Sequence, residues 1–397
     1  MAGENISTWR LVLNIINVME GIGFVALPYA IHQGGIAVLI GLAVVPLMML
    51  YTSNLLVDCL EVQEDNSEAR ERYKTYQEVG MACWSPLKHI IWGLLTVLLF
   101  IILSSMIVLS SSLMSQQFPN VPISEAQWAC LGAAVVFPTV FLKQLSHMAW
   151  ISLLAAIALV SSAGIALSYE FQKAAEWNFS SLLFWDTRGV FLGLSIVIVS
   201  YLIQTNVITM AADVSDLSRF KKALIWSYFL MTCFKIVFAL PGFLTFTNNT
   251  SEIIFKNLPL GIPVQVIVTF FALNVLLAYP LFTLTLLKNV EELTVYQKLT
   301  NKVPFRICYV MLRVLIVLGS LGFAVGIPHF ALVSALMGSF VFFIALTLPA
   351  LFYLRLKHNK ISALQILVNV ILVVLGIGCT VFGLSTTIMS LAAVMKN

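Results

Sequence analysis

Eleven runs of mostly apolar residues follow one another along this chain, at 9–32, 35–60, 88–114, 126–142, 147–168, 189–210, 221–246, 261–287, 304–326, 328–353 and 362–393. About 20 apolar residues is the length that crosses the hydrocarbon core of a bilayer as a helix. In lipid every backbone N–H and C=O needs a partner within the protein, which restricts such runs to helices. A membrane β-barrel would show alternating segments of about 10 residues, and none are seen. The runs predict an all-α polytopic membrane protein with eleven transmembrane helices. Composition agrees: of 397 residues, 60% are hydrophobic and 10% charged, against about 25% charged in average soluble domains. Surface-to-volume scaling leaves a soluble fold no place to hide that much apolar surface.

The first run has no basic region before it and no small-residue cleavage site after it, so it is expected to be a retained span. With the N-terminus in the cytosol, sixteen of the 22 Lys and Arg fall in cytosolic segments and four on the opposite side, with Lys235 and Arg313 inside spans. Cytosolic segments are the ones that collect Lys and Arg, so this orientation, with a luminal C-terminus, is expected. The sequons at Asn178, Asn248 and Asn249 then lie on the non-cytosolic side, where glycosylation occurs. Asn5 also begins a sequon but lies in the cytosolic tail, which shows how little one sequon says. The polar stretch 61–87 contains ERYKTYQEVGMACW, readable as a short amphipathic helix at the cytosolic surface or as a solvated connector.

Several function classes drop out. A net charge of +4 without a basic patch interleaved with aromatics gives no footprint for nucleic acid. The six cysteines are scattered, with no CxxC or Cys/His cluster, so no metal and no bound cofactor are expected. The five histidines lie far apart and form no HExxH or Ser/His/Asp set, which argues against an enzyme. A channel would need a repeated charged ring or carbonyl filter, and neither appears.

What remains is a transporter, and the first run shows why. NVMEGIGFVALPYA, residues 17–30, places an ionisable residue, two glycines and a proline inside an apolar segment. Gly costs about 1 kcal/mol in a helix and Pro about 3, so a kink is the plain reading. Gly21 and Gly23 flank Ile22 near mid-span beside Glu20, which favours an interruption. Unwound backbone at membrane depth is tolerated only where it lines a cavity or is buried in protein. There the free N–H groups at the start of the next half-helix suit a carboxylate. A second interruption is expected in the other half of such a transporter. The sixth run supplies a polar cluster, Ser200, Tyr201, Gln204, Thr205 and Asn206. The first and sixth runs correspond if runs one to five and six to ten are two repeats, with the eleventh added.

GIGFVALPYAIHQGG, at 21–35, resembles the first helix of the amino acid/auxin permease family. SYLIQTNVITMAADVSDLSRFKKALIWSYF and FALPGFLTFTNNTSEIIFKNLP, within 200–259, and LLAYPLF at 276–282 are similar to its vesicular inhibitory amino acid branch. The resemblance covers nearly the whole chain. It implies a 5+5 inverted repeat of the amino acid–polyamine–organocation type, here 9–168 and 189–353, plus the extra helix at 362–393. It implies proton-coupled exchange of small neutral amino acids, GABA or glycine among them, across an acidic vesicle membrane, with the proton gradient as energy source. A vacuolar, lysosomal or plasma-membrane proton–amino acid transporter of the same family is the alternative. Where the resemblance leads one to expect glutamine, this chain has Glu20.

The candidate substrate contacts are Asn17, Glu20, Gly21, Ile22, Gly23, Phe24, Ser105, Tyr201, Gln204 and Tyr279. Gly21, Ile22 and Gly23 offer backbone N–H groups, or else allow close helix packing. Asn17, one turn before Glu20, would cap the broken half-helix. Tyr201 and Gln204 supply a hydroxyl and an amide, while Ile22 and Phe24 bound the substrate to a compact zwitterion. Ser105 and Tyr279, like Ser104 and Asn274, enter only if their spans pack as the resemblance implies; helix–helix hydrogen bonding is their other reading. Glu20 and Lys235 are the proton-coupling candidates, since a charge at membrane depth is costly and usually paired or functional. Arg313 is expected to snorkel toward the cytosolic surface, and His147 and His329 to be surface residues near span ends. The partners expected are a small neutral amino acid and the lipid bilayer, with the protein a monomer.

Overall fold

The computed structural model describes residues 7–20, 22–60, 72–141, 148–182, 186–291, 304–357 and 361–394, which are helical almost throughout. Among these residues eight stretches are long and apolar enough to cross a membrane, from Gly23–Asp58 to Ala363–Val394. The chain packs as two compact units.

The first unit comprises Met1–Trp92, Leu182–Leu240 and Ser334–Asn397. It opens with α1 (Thr8–Met19), whose first turn is capped by the Ser7 hydroxyl accepting from Arg10 N–H. A 3-10 turn, Ile22–Ala26, leads into α2 (Leu27–Asp58). The helix α2 is interrupted at Gly35, where φ 57° and ψ −138° lie in a region that only glycine adopts without strain. That turn falls at the first residue of the second run read from the sequence. Then come α3 (Tyr76–Cys83) and the first turns of α4 (Leu87–Gln117). The connector 61–87 thus contains the short helix, begun by Thr75, whose hydroxyl accepts from Glu78 N–H at 3.2 Å.

The unit continues with α7 (Thr187–Ser200), α8 (Gln204–Ala212) and most of α9 (Leu217–Phe246). The most extensive helix pair is α2 with α7. They meet backbone to backbone: a Cβ on Gly193 would stand 2.8 Å from the Ala30 carbonyl oxygen, and one on Gly34 2.9 Å from Val190 Cα. Small residues bring membrane helices together in this way because packing, and not the hydrophobic effect, joins them in lipid.

The unit closes with α12 (Phe330–Phe342), a π-helical turn (Phe343–Thr347), α13 (Leu348–Leu356) and α14 (Ala363–Val394). The π-turn has a local cause. Leu348 N–H donates to the Phe343 carbonyl, and the next residue, Pro349, has no N–H to give to Ile344. The stranded Ile344 carbonyl accepts from the Tyr76 hydroxyl of α3 at 2.6 Å.

The second unit comprises Gly93–Ser181 and Pro241–Val333. It holds the rest of α4, α5 (Glu125–Thr139), α6 (Met148–Gln172), α10 (Ile262–Glu291) and α11 (Phe305–Gly326). Within it α6 lies along α10, and α11 along α5. Ser124 and Gln127 cap α5 reciprocally.

Arg313 departs from the snorkelling expectation. It is 5% exposed, with Nε donating to the Val140 carbonyl at 3.1 Å and Nη1 to that of Tyr309 at 3.0 Å. The negative C-terminal end of α5 holds the guanidinium inside. His329 is partly exposed and its Nδ1 stands 3.1 Å from Glu252 Oε1. His147 lies outside the described residues.

Candidate functional site

The site forms where two helices of the first unit stop side by side. The α1 helix ends at Met19, and Glu20 leaves helical geometry at φ −73°, ψ 59° while its N–H still donates to the Ile16 carbonyl. The α7 helix ends at Ser200, and α8 begins at Gln204 after a three-residue link. The predicted interruptions thus both occur. They also touch: a Cβ on Gly23 would lie 3.1 Å from Val199 Cγ1 and 3.5 Å from Ser200 Cα. The close-packing reading of this glycine therefore has a direct cause.

Lys235, from α9, fastens the second break. It is 0% exposed. Its ammonium donates to the Ser200 carbonyl, the last of α7, and lies 3.7 Å from the centroid of the Tyr201 ring. A cation is favoured at both places, by the negative end of a helix and by the negative face of an aromatic ring. The Glu20 carboxyl, half-buried at the first break, lies within the electrostatic reach of the same ammonium. One lysine thus holds the carbonyl end of the second break while its charge acts on the carboxyl of the first.

The other candidates divide. Phe24 is buried, its ring centroid 5.1 Å from that of Phe238 and 6.4 Å from that of Phe234, so it packs on α9. Tyr201 is fully buried under Lys235. Gln204 does not present a free amide. Its Nε2 donates to the Met49 carbonyl and to the Tyr228 hydroxyl, both at 3.3 Å, and Tyr228 pairs with Ser53 at 3.1 Å. A buried amide must find partners, and these tie α8 to α2 and α9. Asn17 departs from the capping expectation: it is exposed, and its side chain makes no hydrogen bond among the described residues. The turn is closed by the Glu20 main chain instead. Gly21 lies outside the described residues, and Ile22 opens the 3-10 turn.

Ser105 and Tyr279 belong to the second unit, where both are buried. Ser105 donates to the Ile102 carbonyl at 2.7 Å, and Ser104 to that of Phe100 at 2.9 Å. The Tyr279 hydroxyl shares a 2.7 Å bond with Ser320. The residues that sequence reasoning missed are Met49, Ser53, Tyr228, Phe234 and Phe238. Tyr228 carried a signal: it precedes Lys235 by two turns and shares its helix face.

Paired helix breaks, buried in a bundle of apolar helices, with a buried lysine closing the second and a carboxyl at the first, define a multi-pass membrane transporter. The architecture agrees with Mhp1 in its inward-facing conformation, at a TM-score of 0.56 and 12% identity, over 100% of this chain and 92% of that one. The chain belongs to the family described as transmembrane amino acid transporter protein, whose profile matches residues 4–395. It is 28% identical over 401 residues to the vesicular inhibitory amino acid transporter of Rattus norvegicus, covering 95% of this chain and 75% of that one. It is 26% identical over 422 residues to the vesicular GABA transporter of Caenorhabditis elegans, covering 100% and 82%. It is accordingly a membrane transporter and not an enzyme, its substrate class is amino acids, and its relatives include vesicular transporters.

Proposed function

We propose that this protein is a proton-coupled exchanger that loads small neutral amino acids, of the GABA and glycine type, into acidic vesicles. The observation that carries the proposal is the placing of Glu20 at one helix break and of Lys235 on the carbonyl that ends the helix at the adjacent break. The names of the relatives supply the substrate type. In this reading the N–H groups of the Ile22–Ala26 turn hold the substrate carboxylate, and ionised Glu20 attracts its ammonium. A proton taken up on the acidic side cancels the Glu20 charge and releases that ammonium. Substrate and proton therefore compete for one carboxyl, which is the physical requirement for exchange. The gradient supplies about 1.4 kcal/mol per pH unit for each proton.

The same reading has eleven spans, with five-helix inverted repeats at 9–168 and 189–353 and an added helix at 362–393. It has a cytosolic N-terminus, a luminal C-terminus and a monomeric protein. The test is uptake of labelled GABA, glycine and alanine into proteoliposomes with a pH gradient of either sign. Uptake should rise when the interior is acidic, and Glu20→Gln should abolish that dependence. Uptake indifferent to the gradient, or a gradient response intact in Glu20→Gln, overturns the proposal.

A further inference from the structure

Three membrane-crossing stretches end beside one another in the first unit: Gly23–Asp58 at its C-terminus, Leu217–Asn249 at its N-terminus and Phe330–Leu356 at its C-terminus. Between these ends lies a cavity of about 540 Å³. Its polar lining is Asp58, Ser218, Lys221, Tyr353 and Lys357. Helices that cross a bilayer end at headgroup level, so the cavity opens where lipid phosphates lie.

The charges favour an anion. Two ammonium groups face one carboxylate, and Asp58 and Lys221 already pair at 2.5 Å. The Lys357 side chain makes no hydrogen bond or ion pair among the described residues. The N-terminus of α9 is not a competing anion site, because Asp216 Oδ1 already accepts from Ser218 N–H at 2.9 Å and Arg219 N–H at 3.3 Å. Arg219 in turn is held by Asp216 at 3.1 Å. The excess positive charge therefore belongs to Lys357. Val57 and Leu217 complete the wall with apolar surface, which suits the glycerol and upper acyl carbons of a lipid and offers a free phosphate nothing.

We propose that this cavity is a binding site for the headgroup of an anionic phospholipid. Lys357 and Lys221 hold its phosphate, and the Tyr353 hydroxyl is a third donor. Asp58 positions Lys221 and weakens the attraction for the anion.

The test is native mass spectrometry of the full chain released from nanodiscs of phosphatidylcholine doped with phosphatidylinositol. Phosphatidylinositol should be retained in preference to phosphatidylcholine. Lys357→Gln should lower retention about fivefold, as for one Lys near an anionic surface, and Lys357→Arg should keep it. Lys222→Gln, at an exposed neighbour outside the cavity, should change nothing. Asp58→Asn should raise retention, whereas an ion pair of purely structural value would lose lipid along with stability. Should Lys357→Gln fail to fold, Lys221→Gln is read in its place, with the same expected sign. Equal retention of both lipids, an equal effect of Lys222→Gln, loss of lipid in Asp58→Asn, or displacement by water-soluble glycerophosphoinositol as effective as lipid would each overturn the proposal.

Discussion

Lys235 is held by groups of three kinds: the final carbonyl of α7, the face of the Tyr201 ring and the field of Glu20. Removing the ammonium leaves the buried Ser200 carbonyl without its side-chain donor, at about 1–3 kcal/mol. Lys235→Met is therefore expected to destabilise the purified protein by about that amount in detergent unfolding. Adding Glu20→Gln should recover the part of the loss that comes from the Glu20 field and restore no transport. A second mutation that deepens the loss would mean that the two residues act separately. Cys83, in α3 and outside the spans, gives a pH-dependent expectation. Burial pushes its thiol up to about 12, with Arg355 acting in the opposite sense. The thiolate is the nucleophile, so at pH 7 a thiol raised this far ionises far less than a free cysteine and reacts more slowly, although its thiolate is the stronger nucleophile. In a variant retaining only this cysteine, maleimide labelling should be slow at neutral pH and rise about tenfold per pH unit toward 12. At this scale the sequence exposed charges in apolar runs, and Glu20 and Lys235 stood out for that reason. It did not expose their partners, because Ser200 and Tyr201 come from another helix, and it read Gln204 as free because the Met49 carbonyl that accepts from its amide is invisible in a sequence.

Elements were legible where backbone chemistry leaves a local mark. Glycine beside glutamate marked the first break, and clustered polar residues marked the second. The Gly35 turn fell where the second apolar run begins. The π-turn was not legible, since Pro349 alone reads as a kink, and its consequence appears only in the pairing of Ile344 with Tyr76, 268 residues apart. That pairing makes α3 a clasp on the π-turn. Tyr76→Phe would leave a buried carbonyl without a donor, at about 1–3 kcal/mol. The loss should appear in thermal or denaturant unfolding of the purified protein. Tyr73→Phe, which removes a hydroxyl with no hydrogen bond among the described residues, should leave stability unchanged. In a Pro349→Ala background the helix regains an N–H at 349 to serve Ile344, so the Tyr76→Phe loss should shrink. An undiminished loss there would place the value of Tyr76 in its ring contact with Phe352, whose centroid is 5.3 Å away, and not in the hydroxyl.

For the whole molecule, the sequence made orientation depend on counting spans, and an error of one would invert every later loop. Geometry inside the second unit removes part of that dependence. Trp177 Nε1 donates to Thr245 Oγ1 at 3.0 Å, and the Tyr169 and Phe246 rings stack at 6.0 Å. These contacts bring the segment of Asn178 and the segment of Asn248 and Asn249 to one end of that unit, whatever the number of spans between them. All three asparagines are exposed. They should therefore share a fate: glycosylated together if that end is luminal, untouched together if it is cytosolic. Asn248 and Asn249 are adjacent, and a glycan on one blocks the other, so two glycans are expected at most. In a eukaryotic cell, glycosidase treatment should shift the mobility of the full chain by two steps. Asn178→Gln should remove one step, and the double substitution Asn248→Gln and Asn249→Gln the other. A glycan at Asn178 that persists when Thr250→Ala and Ser251→Ala leave the second segment unmodified is compatible with this arrangement. Modification both at Asn248 and at an asparagine introduced among the basic residues beside Lys221 is not, because Lys221 and Asn248 lie at opposite ends of one membrane-crossing stretch, Leu217–Asn249.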